Sequence, residues 1–594
     1  MSESTERPWP TISPLKRWGP LVLVLAVLIG GTVVATAKGS DSGSGSTASA
    51  PSKKTSKGYA DSPLLPVTYA DAKKDGTVED YDWGDRCDTE RGTIEVPSVL
   101  APPCVPVWDG DKAWKNQGGK TVTSNGGATA PGVSEDTITI VYYQFGPQDL
   151  GGALQSFGVM DPPNVAAELA QQMVEAGNNT FELYGRKVVL KPFQATGDGK
   201  SPGPARADAI KVAKEIKAFA SIGGPTQTAA YQDELARQGV LCIACGYATP
   251  DAQFQKNAPY AWSQLPTADQ IVYGVIGFGI ENLFGKPAAL AGDPAMQKKK
   301  RVFGVVHYEQ DPPVFDELQK EASAKYAKDG FEAKTTLSYL LDLDTLNSQA
   351  QTIIGKLKAA KVTSVLFLGD PIMPIYLTKQ ATQQDYHPEW IITGTVFTDS
   401  TSAGRLYDQT QWAHAFGSSS LPARTKPELS EPWRIYEWYF GEKPTATKSL
   451  PIVTPLIMQV FGGLMQAGPN LSAQTFAGGM FRLPPAGGGP TVPRVSYGFH
   501  GLFDDADYAA VDDFAMVYWD PDAEGPDEQN KDGKGMWRYV DGGKRFLLGE
   551  IESIDLEKAR DPATAPTLLD EVPEEDRVPD YPPWPGSPAA AGGG

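Results

Sequence analysis

Val302-Phe303-Gly304-Val305-Val306-His307 is a short apolar run, and together with the residues after it this run sets the fold. Residues 314–328 carry Phe315, Leu318, Ala322 and Tyr326 at helical spacing. Residues 334–340 return to a strand pattern. Residues 345–360 place Leu346, Ala350, Ile353 and Leu357 on one helix face, and 362–368 are again apolar. Residues 372–382 predict another helix and 390–393 another strand. Apolar residues three and four apart mark a helix with one buried face, whereas short continuous apolar runs mark strands covered on both sides. Strands that alternate with crossover helices build a parallel sheet with helices on both faces.

The same alternation stands upstream. Residues 137–145 predict a β-branched and aromatic strand, and 164–176 a helix with Val165, Leu169 and Met173 on one face. A strand over 187–193 and a helix over 205–217, facing inward through Ile210, Ala213 and Ile216, come next. Strands at 218–222 and 240–244 flank a helix over 226–238. Two such sets, joined by an irregular stretch around 250–270, predict an α/β protein of two doubly wound parallel-sheet lobes with a hinge. Downstream, 432–440 and 452–467 read as helices. Residues 514–519 and 536–539 read as strands that extend one of the sheets.

Composition agrees with a folded body. The chain has 594 residues, 41% hydrophobic and 21% charged, so it holds enough apolar material for a core. Its length allows about four domain-sized units. A net charge of −19 argues against nucleic acid as a partner, because phosphate binding rests on Lys and Arg.

Residues 18–37 carry no charge and come directly after Lys16 and Arg17. At ~1.5 Å per residue they span a ~30 Å hydrocarbon core. The flanking cations predict 1–17 in the cytoplasm and the rest outside. Ala35-Thr36-Ala37 also fits a signal-peptidase site, so the segment reads as an anchor or a cleaved signal, and both export the body. No Cys sits near its end to carry a lipid. Residues 38–60, rich in Ser, Gly, Thr and Lys, predict a flexible linker. Residues 552–594, rich in Pro and acid, predict a disordered tail.

An exported chain keeps disulfides. Cys87 and Cys104 lie in a Pro-, Gly- and Asp-rich module, 61–135, with little core of its own, and are expected to staple it. Cys242 and Cys245 form a C-x-x-C at a predicted strand end. They read as a local disulfide or two buried thiols rather than as a redox site, which would open a helix.

Enzyme signatures are sparse. His307, His387, His414 and His500 lack metal-pair spacing, and no G-x-S-x-G elbow occurs. The Gly-rich stretch 279–286 has one intervening residue too many for a phosphate loop, and Pro287 stands where Ser or Thr is needed. Asp520, Asp522, Glu524 and Gly525 begin like a calcium loop, but its last ligand would be Lys531. No catalytic residue, metal or cofactor is expected.

The order of elements resembles the type I periplasmic solute-binding proteins, the branched-chain amino acid class of ABC importers. The residues that carry it are Ile138-Thr139-Ile140-Val141, Tyr184-Gly185-Arg186-Lys187-Val188, Gly223-Gly224-Pro225-Thr226 and Val302-Phe303-Gly304-Val305-Val306. Asn125-Gly126-Gly127-Ala128-Thr129 before the first strand is similar to an actinobacterial subgroup. The resemblance covers about 120–550. It implies lobe one over 136–263 with 394–505, and lobe two over 264–393 with 506–551. It also implies a small-molecule solute, permease and ATPase subunits as partners, and contacts to a ligand carboxylate, ammonium and side chain.

Ligands of open α/β sheets sit beyond the carboxyl ends of the strands. On that rule Thr226 is expected to open a helix whose free Gln227 and Thr228 N–H groups receive an anion. The same rule brings Gln144 and Phe145 from the first strand and Tyr247 and Thr249 from the fourth. Lobe two would bring Tyr308, Glu309 and Asp370, the acids facing an ammonium. The functions to weigh are a membrane-held importer subunit for an amino-acid-like or amide-like solute, the sensing ectodomain of a receptor complex, and an exported α/β enzyme.

Overall fold

The computed structural model describes residues 58–592, apart from 111–113, 147–148, 157–159, 247, 310–311, 501 and 504. The chain divides into two units, Met1–Ala48 and Ser49–Gly594. The expected anchor over 18–37 and nearly all of the linker over 38–60 lie outside the described residues. At the end of that linker the Tyr59 ring already packs 6.4 Å from Phe481.

Lobe one begins with strand β1 (Thr137–Gln144), helices α1 (Leu150–Ser156) and α2 (Pro163–Thr180), and strand β2 (Lys187–Gln194). Next come helix α3 (Pro202–Lys211), strand β3 (Ala220–Ile222), helix α4 (Ala230–Gln238) and strand β4 (Leu241–Ile243). Helix α5 (Asp251–Asn257) and strand β5 (Ala261–Trp262) complete the set. The five strands are parallel in the order β2-β1-β3-β4-β5. Alternation along β1 serves both faces of the sheet. Ile138 and Ile140 enter one core cluster with α2, while Val141 and Tyr143 enter another with α3 and α4.

Helix α3 is not oriented as its apolar residues suggest. Ala205, Ala209 and Val212 are buried, Ile210 is 42% exposed, and a π-helical turn (Val212–Ile216) continues the helix. The face is turned by Asp208, which is buried and accepts from the Thr196 N–H at 2.9 Å and its hydroxyl at 2.5 Å.

Lobe two opens with α6 (Ala268–Asn282), started by a Thr267–Gln270 capping box. Then come β6 (Phe303–Tyr308), α7 (Val314–Tyr326), β7 (Ala333–Tyr339), α8 (Leu346–Ala359), β8 (Ser364–Leu368), α9 (Met373–Gln383), β9 (Glu389–Ile392) and β10 (Ala415–Ser419). The expected inner face of α8, Leu346, Ala350, Ile353 and Leu357, is buried. Inside the lobe Arg301 grips Glu389 through two bonds of 2.8 and 2.9 Å, and Glu389 also accepts from Ser364 at 2.6 Å and the Leu290 N–H at 3.0 Å.

The chain then returns to lobe one with α10 (Glu431–Phe440), α11 (Leu450–Ala467) and α12 (Ala473–Arg482). Helix α11 is long and apolar enough to cross a membrane. Its residues Val453, Ile457, Val460, Phe461 and Leu464 are buried in the lobe-one core. Strands β11 (Asp513–Pro526), β12 (Asp532–Tyr539) and β13 (Arg545–Leu547) close the second sheet. Its order is β7-β6-β8-β9-β10-β11-β12, with β13 on β11. Strands β6 to β10 are parallel, and β11 runs antiparallel to β10. The acids suggestive of a calcium loop lie along β11, where Asp520 is held by Arg538 at 2.6 Å.

Three expected boundaries are corrected. Residues 394–420 belong to lobe two rather than lobe one, because β10 pairs with β9. The run Ala415–Ser419 is too small and polar to read as a strand from its sequence, which hides that pairing. Ala506, Tyr508 and Ala510 pack with lobe one, so the crossing into lobe two comes just before Asp513. Residues 552–592 are not a disordered tail. Ala565 packs in the lobe-two core, Asp576 is fully buried, and Tyr581 donates to Asp88 at 2.6 Å. Trp584 packs on Trp438 at 6.2 Å, and Arg86 lies over its ring at 4.9 Å. Isolated anchors fix this segment along existing surface, so it needs no apolar periodicity.

The 61–135 stretch is joined to lobe one rather than free-standing. Tyr69, Ile94, Cys104 and Trp114 share the lobe-one core. Arg186 donates to the carbonyls of Asn125 (2.5 Å), Gly127 (3.1 Å), Ser134 (2.8 Å) and Pro469 (2.8 Å). Cys87–Cys104 is a disulfide, and so is Cys242–Cys245. Residues i and i+3 of a straight strand stand ~10 Å apart. Ala244, at φ 54°, bends the chain beyond β4 and brings the second pair to a Cα separation of 5.6 Å.

Candidate functional site

The carboxyl ends of β4 and β5 in lobe one and of β9 and β10 in lobe two open onto one narrow crevice. Lobe one supplies Gly246, Ala248, Ser263 and Leu265. Lobe two supplies Gly394, Phe397, Ser420 and Leu421, with Ile271 of α6 between them. Backbone in the left-handed region stands on both sides: Ala244 and Ala248 at φ 54° and 49°, Val396 and Phe397 at φ 49° and 61°. Each costs about 1–3 kcal/mol for a residue with a side chain, most for a β-branched one, and such positions gather at functional sites.

The hinge lies beside the crevice. The Ser263 N–H donates to the Tyr508 carbonyl at 2.9 Å, and the Ala510 N–H to the Ser263 carbonyl at 3.1 Å. The Ala268 N–H, on the first turn of α6, donates to the Thr249 carbonyl at 3.1 Å. Leu154 on α1 and Ala248 both join the lobe-two core cluster, so lobe-one loops already touch the opposite lobe.

Asp399 sits behind the crevice wall. A Cβ at Gly394 would lie 3.2 Å from Asp399 Oδ2 and equally close to the Ser419 and Ser420 backbone. The Ser419 hydroxyl donates to Oδ2, while Oδ1 is buried without a partner among the described residues. Burial pushes this carboxyl up to about pKa 6, partly offset by the Ser419 hydrogen bond and the Arg545 charge.

Most of the expected contacts are engaged within their own lobes. Helix α4 begins at Ala230, so Thr226 precedes it, and the Thr226 hydroxyl donates to Asp149. The Gln227 N–H is not free for an anion: it donates to the Gly199 carbonyl at 3.1 Å. The Thr228 hydroxyl accepts from the Ala230 N–H at 3.3 Å. Gln144 donates to the Pro163 carbonyl at 3.3 Å, and Phe145 lies against Tyr143 and the backbone of Gly151.

Tyr308 is buried edge-on to Phe315, with its hydroxyl unpartnered among the described residues. Glu309 is exposed and accepts from Ser338 at 2.7 Å. Asp370 is buried and accepts from the Ile372 and Met373 N–H groups and from the Tyr339 hydroxyl, which is the work of a helix cap at α9. Burial raises its pKa, and these hydrogen bonds oppose the rise. Tyr247 lies outside the described residues, and it and Thr249 flank the crevice residue Ala248. The crevice residues that sequence reasoning passed over, Gly394, Phe397 and Ser420, lie just past the ends of β9 and β10. The available signal was Thr393-Gly394 at the end of an apolar run, subject to the same rule that led to Thr226.

No family model matches the chain, and no curated protein matches it. Solved structures do. The chain is similar to a fatty acid ABC transporter substrate-binding protein from Thermomonospora curvata at 15% identity, over 72% of this chain and 95% of that one, with a TM-score of 0.48. It is similar to the leucine-, isoleucine-, valine-, threonine-, and alanine-binding protein from Brucella ovis, closed conformation, at 14% identity over 74% and 100% of the two chains, TM-score 0.46. It is also similar to a branched-chain amino acid transporter substrate binding protein from Streptococcus pneumoniae in complex with isoleucine, at 14% identity over 68% and 100%, TM-score 0.44.

Proposed function

We propose that the chain is an extracytoplasmic solute-binding protein of an ABC importer, closing two lobes over a small solute. The observation that carries this reading is the convergence of strand ends from two separate sheets on one crevice beside the hinge. Parallel α/β sheets bind ligands at those ends. A solute that touches both lobes favours the closed form by its differential affinity, and hinge closure is an established route for such a change. Permease and ATPase subunits are the partners the order of elements implies. Two disulfides suit an oxidising compartment, and the uncharged run 18–37 suits export with the body outside the membrane.

Mass spectrometry of small molecules released by denaturing the purified protein tests the reading. One solute in near-stoichiometric amount is expected, and returning it to stripped protein is expected to lower the radius of gyration in small-angle scattering. A protein that releases nothing and never contracts is no binding protein of this kind. For the compartment, added protease is expected to digest residues 61–594 on intact cells. A protected C-terminal tag would reject export.

A further inference from the structure

Resting on the two-lobed reading above, we propose that residues 565–584 are a strap that ties lobe two to lobe one and limits how far the solute-free protein opens. Among the described residues three other passages join the lobes, from β5 to α6, from β10 to α10 and from α12 to β11. The strap is a fourth. Its lobe-two end is fixed at β12, where Arg538 donates to the Ala565 carbonyl at 2.8 Å and the Tyr539 N–H to the Pro566 carbonyl at 2.9 Å. It crosses beside the passage from β10 to α10. There Leu569 pairs in parallel with Thr425, and its N–H donates to the Arg424 carbonyl at 2.7 Å. Asp576 then holds Thr491. The lobe-one end is fixed by side chains. The Tyr581 hydroxyl donates to Asp88 at 2.6 Å and accepts from Arg91 at 3.1 Å. The Pro582 carbonyl accepts from Arg86 at 2.7 Å and from the Trp438 indole at 3.0 Å.

These bonds are made while the lobes are in contact, with Leu154 and Ala248 of lobe one packed in the lobe-two core cluster. Moving the lobes apart carries Asp88, Arg86 and Trp438 away from β12, so the strap must lengthen or let go at one end. Pro573, Pro579, Pro582, Pro583 and Pro585 fix φ along it and make its lobe-one end a stiff lead rather than a coil. Bonds present in the contacting arrangement and lost in the open one shift the population towards contact, as a ligand with the same preference does. Between Leu569 and Asp576 the chain is loosely held: the Asp570 and Glu571 side chains are 93% and 83% exposed. Their ion pairs, with Lys426 and Arg577, are of the surface kind that contributes little.

Small-angle scattering of the stripped, full-length protein tests the strap. Inserting about eight Gly and Ser residues between Asp570 and Glu571 leaves every anchoring residue in place and adds roughly 15 Å of slack. This variant is expected to show a larger radius of gyration than wild type with an unchanged circular dichroism spectrum. Tyr581→Ala, which loosens the lobe-one end without lengthening the chain, should shift the radius in the same direction. The insertion separates a restraint from mere adhesion, since the contacts remain and only their reach changes. A radius equal to that of wild type in both variants overturns the proposal. So does a gain that comes with loss of helical signal, because it then reports unfolding. The solute-binding reading is judged apart from this, by whether denatured protein releases a stoichiometric small molecule.

Discussion

Ser263 and Ala509 run side by side in parallel where two passages of the chain between the lobes meet. One passage leads from β5 into α6, and the other returns from the lobe-one core towards β11. A second parallel bridge, Thr425 to Leu569, joins two further passages. Paired passages make a hinge that bends as one unit, because a twist in either strand must break the hydrogen bonds it shares with its neighbour.

The Arg301–Glu389 pair is expected to dominate lobe-two stability. Arg301→Met leaves Glu389 buried and uncompensated and should cost roughly 3–5 kcal/mol. Arg301→Met with Glu389→Met should cost less than the single change. Denaturant unfolding of both variants checks the order.

Asp512 gives a pH dependence. Burial, with Asp513 adding to it, pushes its carboxyl up to about pKa 7, above the usual value near 4. The folded protein therefore holds this proton more tightly than the unfolded chain. The stability from this group is fully present below about pH 4 and is lost as pH rises through about 7. Asp512→Asn, which keeps an acceptor for the Ser496 hydroxyl at 2.6 Å in the native protein, should gain on wild type by roughly 2–4 kcal/mol between pH 4 and 8. Thermal unfolding at the two pH values would expose a constant difference if Asp512 ionises normally.

Cys87–Cys104 closes a loop with a sequence separation of 17. Replacing both with Ser should cost about 3 kcal/mol on a chain-entropy account. Thiol titration of the denatured, unreduced protein is expected to find no free thiol, and a reactive Cys87 in a peptide map would reject the pairing.

Asp576 pins the C-terminal segment by accepting from the Thr491 N–H at 2.7 Å and its hydroxyl at 2.8 Å. Asp576→Ala should cost about 1–3 kcal/mol, because it strands a part-buried N–H. Hydrogen exchange at Thr491 should rise with it. Unchanged protection there would mean that the segment is held from elsewhere.

Much of the fold was legible because buried strands and one-faced helices leave periodic traces. The α8 face reads directly from Leu346, Ala350, Ile353 and Leu357. Ile210 misled because a buried Asp208 turns α3, and no period reveals a carboxyl satisfied by Thr196. The segment after 551 misled for a related reason: its hold on the body depends on single residues such as Asp576 and Trp584, spaced by the surface they cross. The crevice was legible as a rule about strand ends but not as residues. Which loop reaches it depends on left-handed backbone at Ala248, Val396 and Phe397, and those residue types do not announce such a conformation.

Both extremities of the described chain are stitched to the same half of the molecule. The 58–135 stretch shares the lobe-one core, and the last residues lie on it through Arg86, Asn179 and Trp438. Whatever grips the protein by its N-terminal side therefore grips lobe one. On the two-lobed clamp proposed above, lobe two would then be the jaw that swings, and a partner that reads the closed state would register the travel of β6 to β13 against a stationary neighbour.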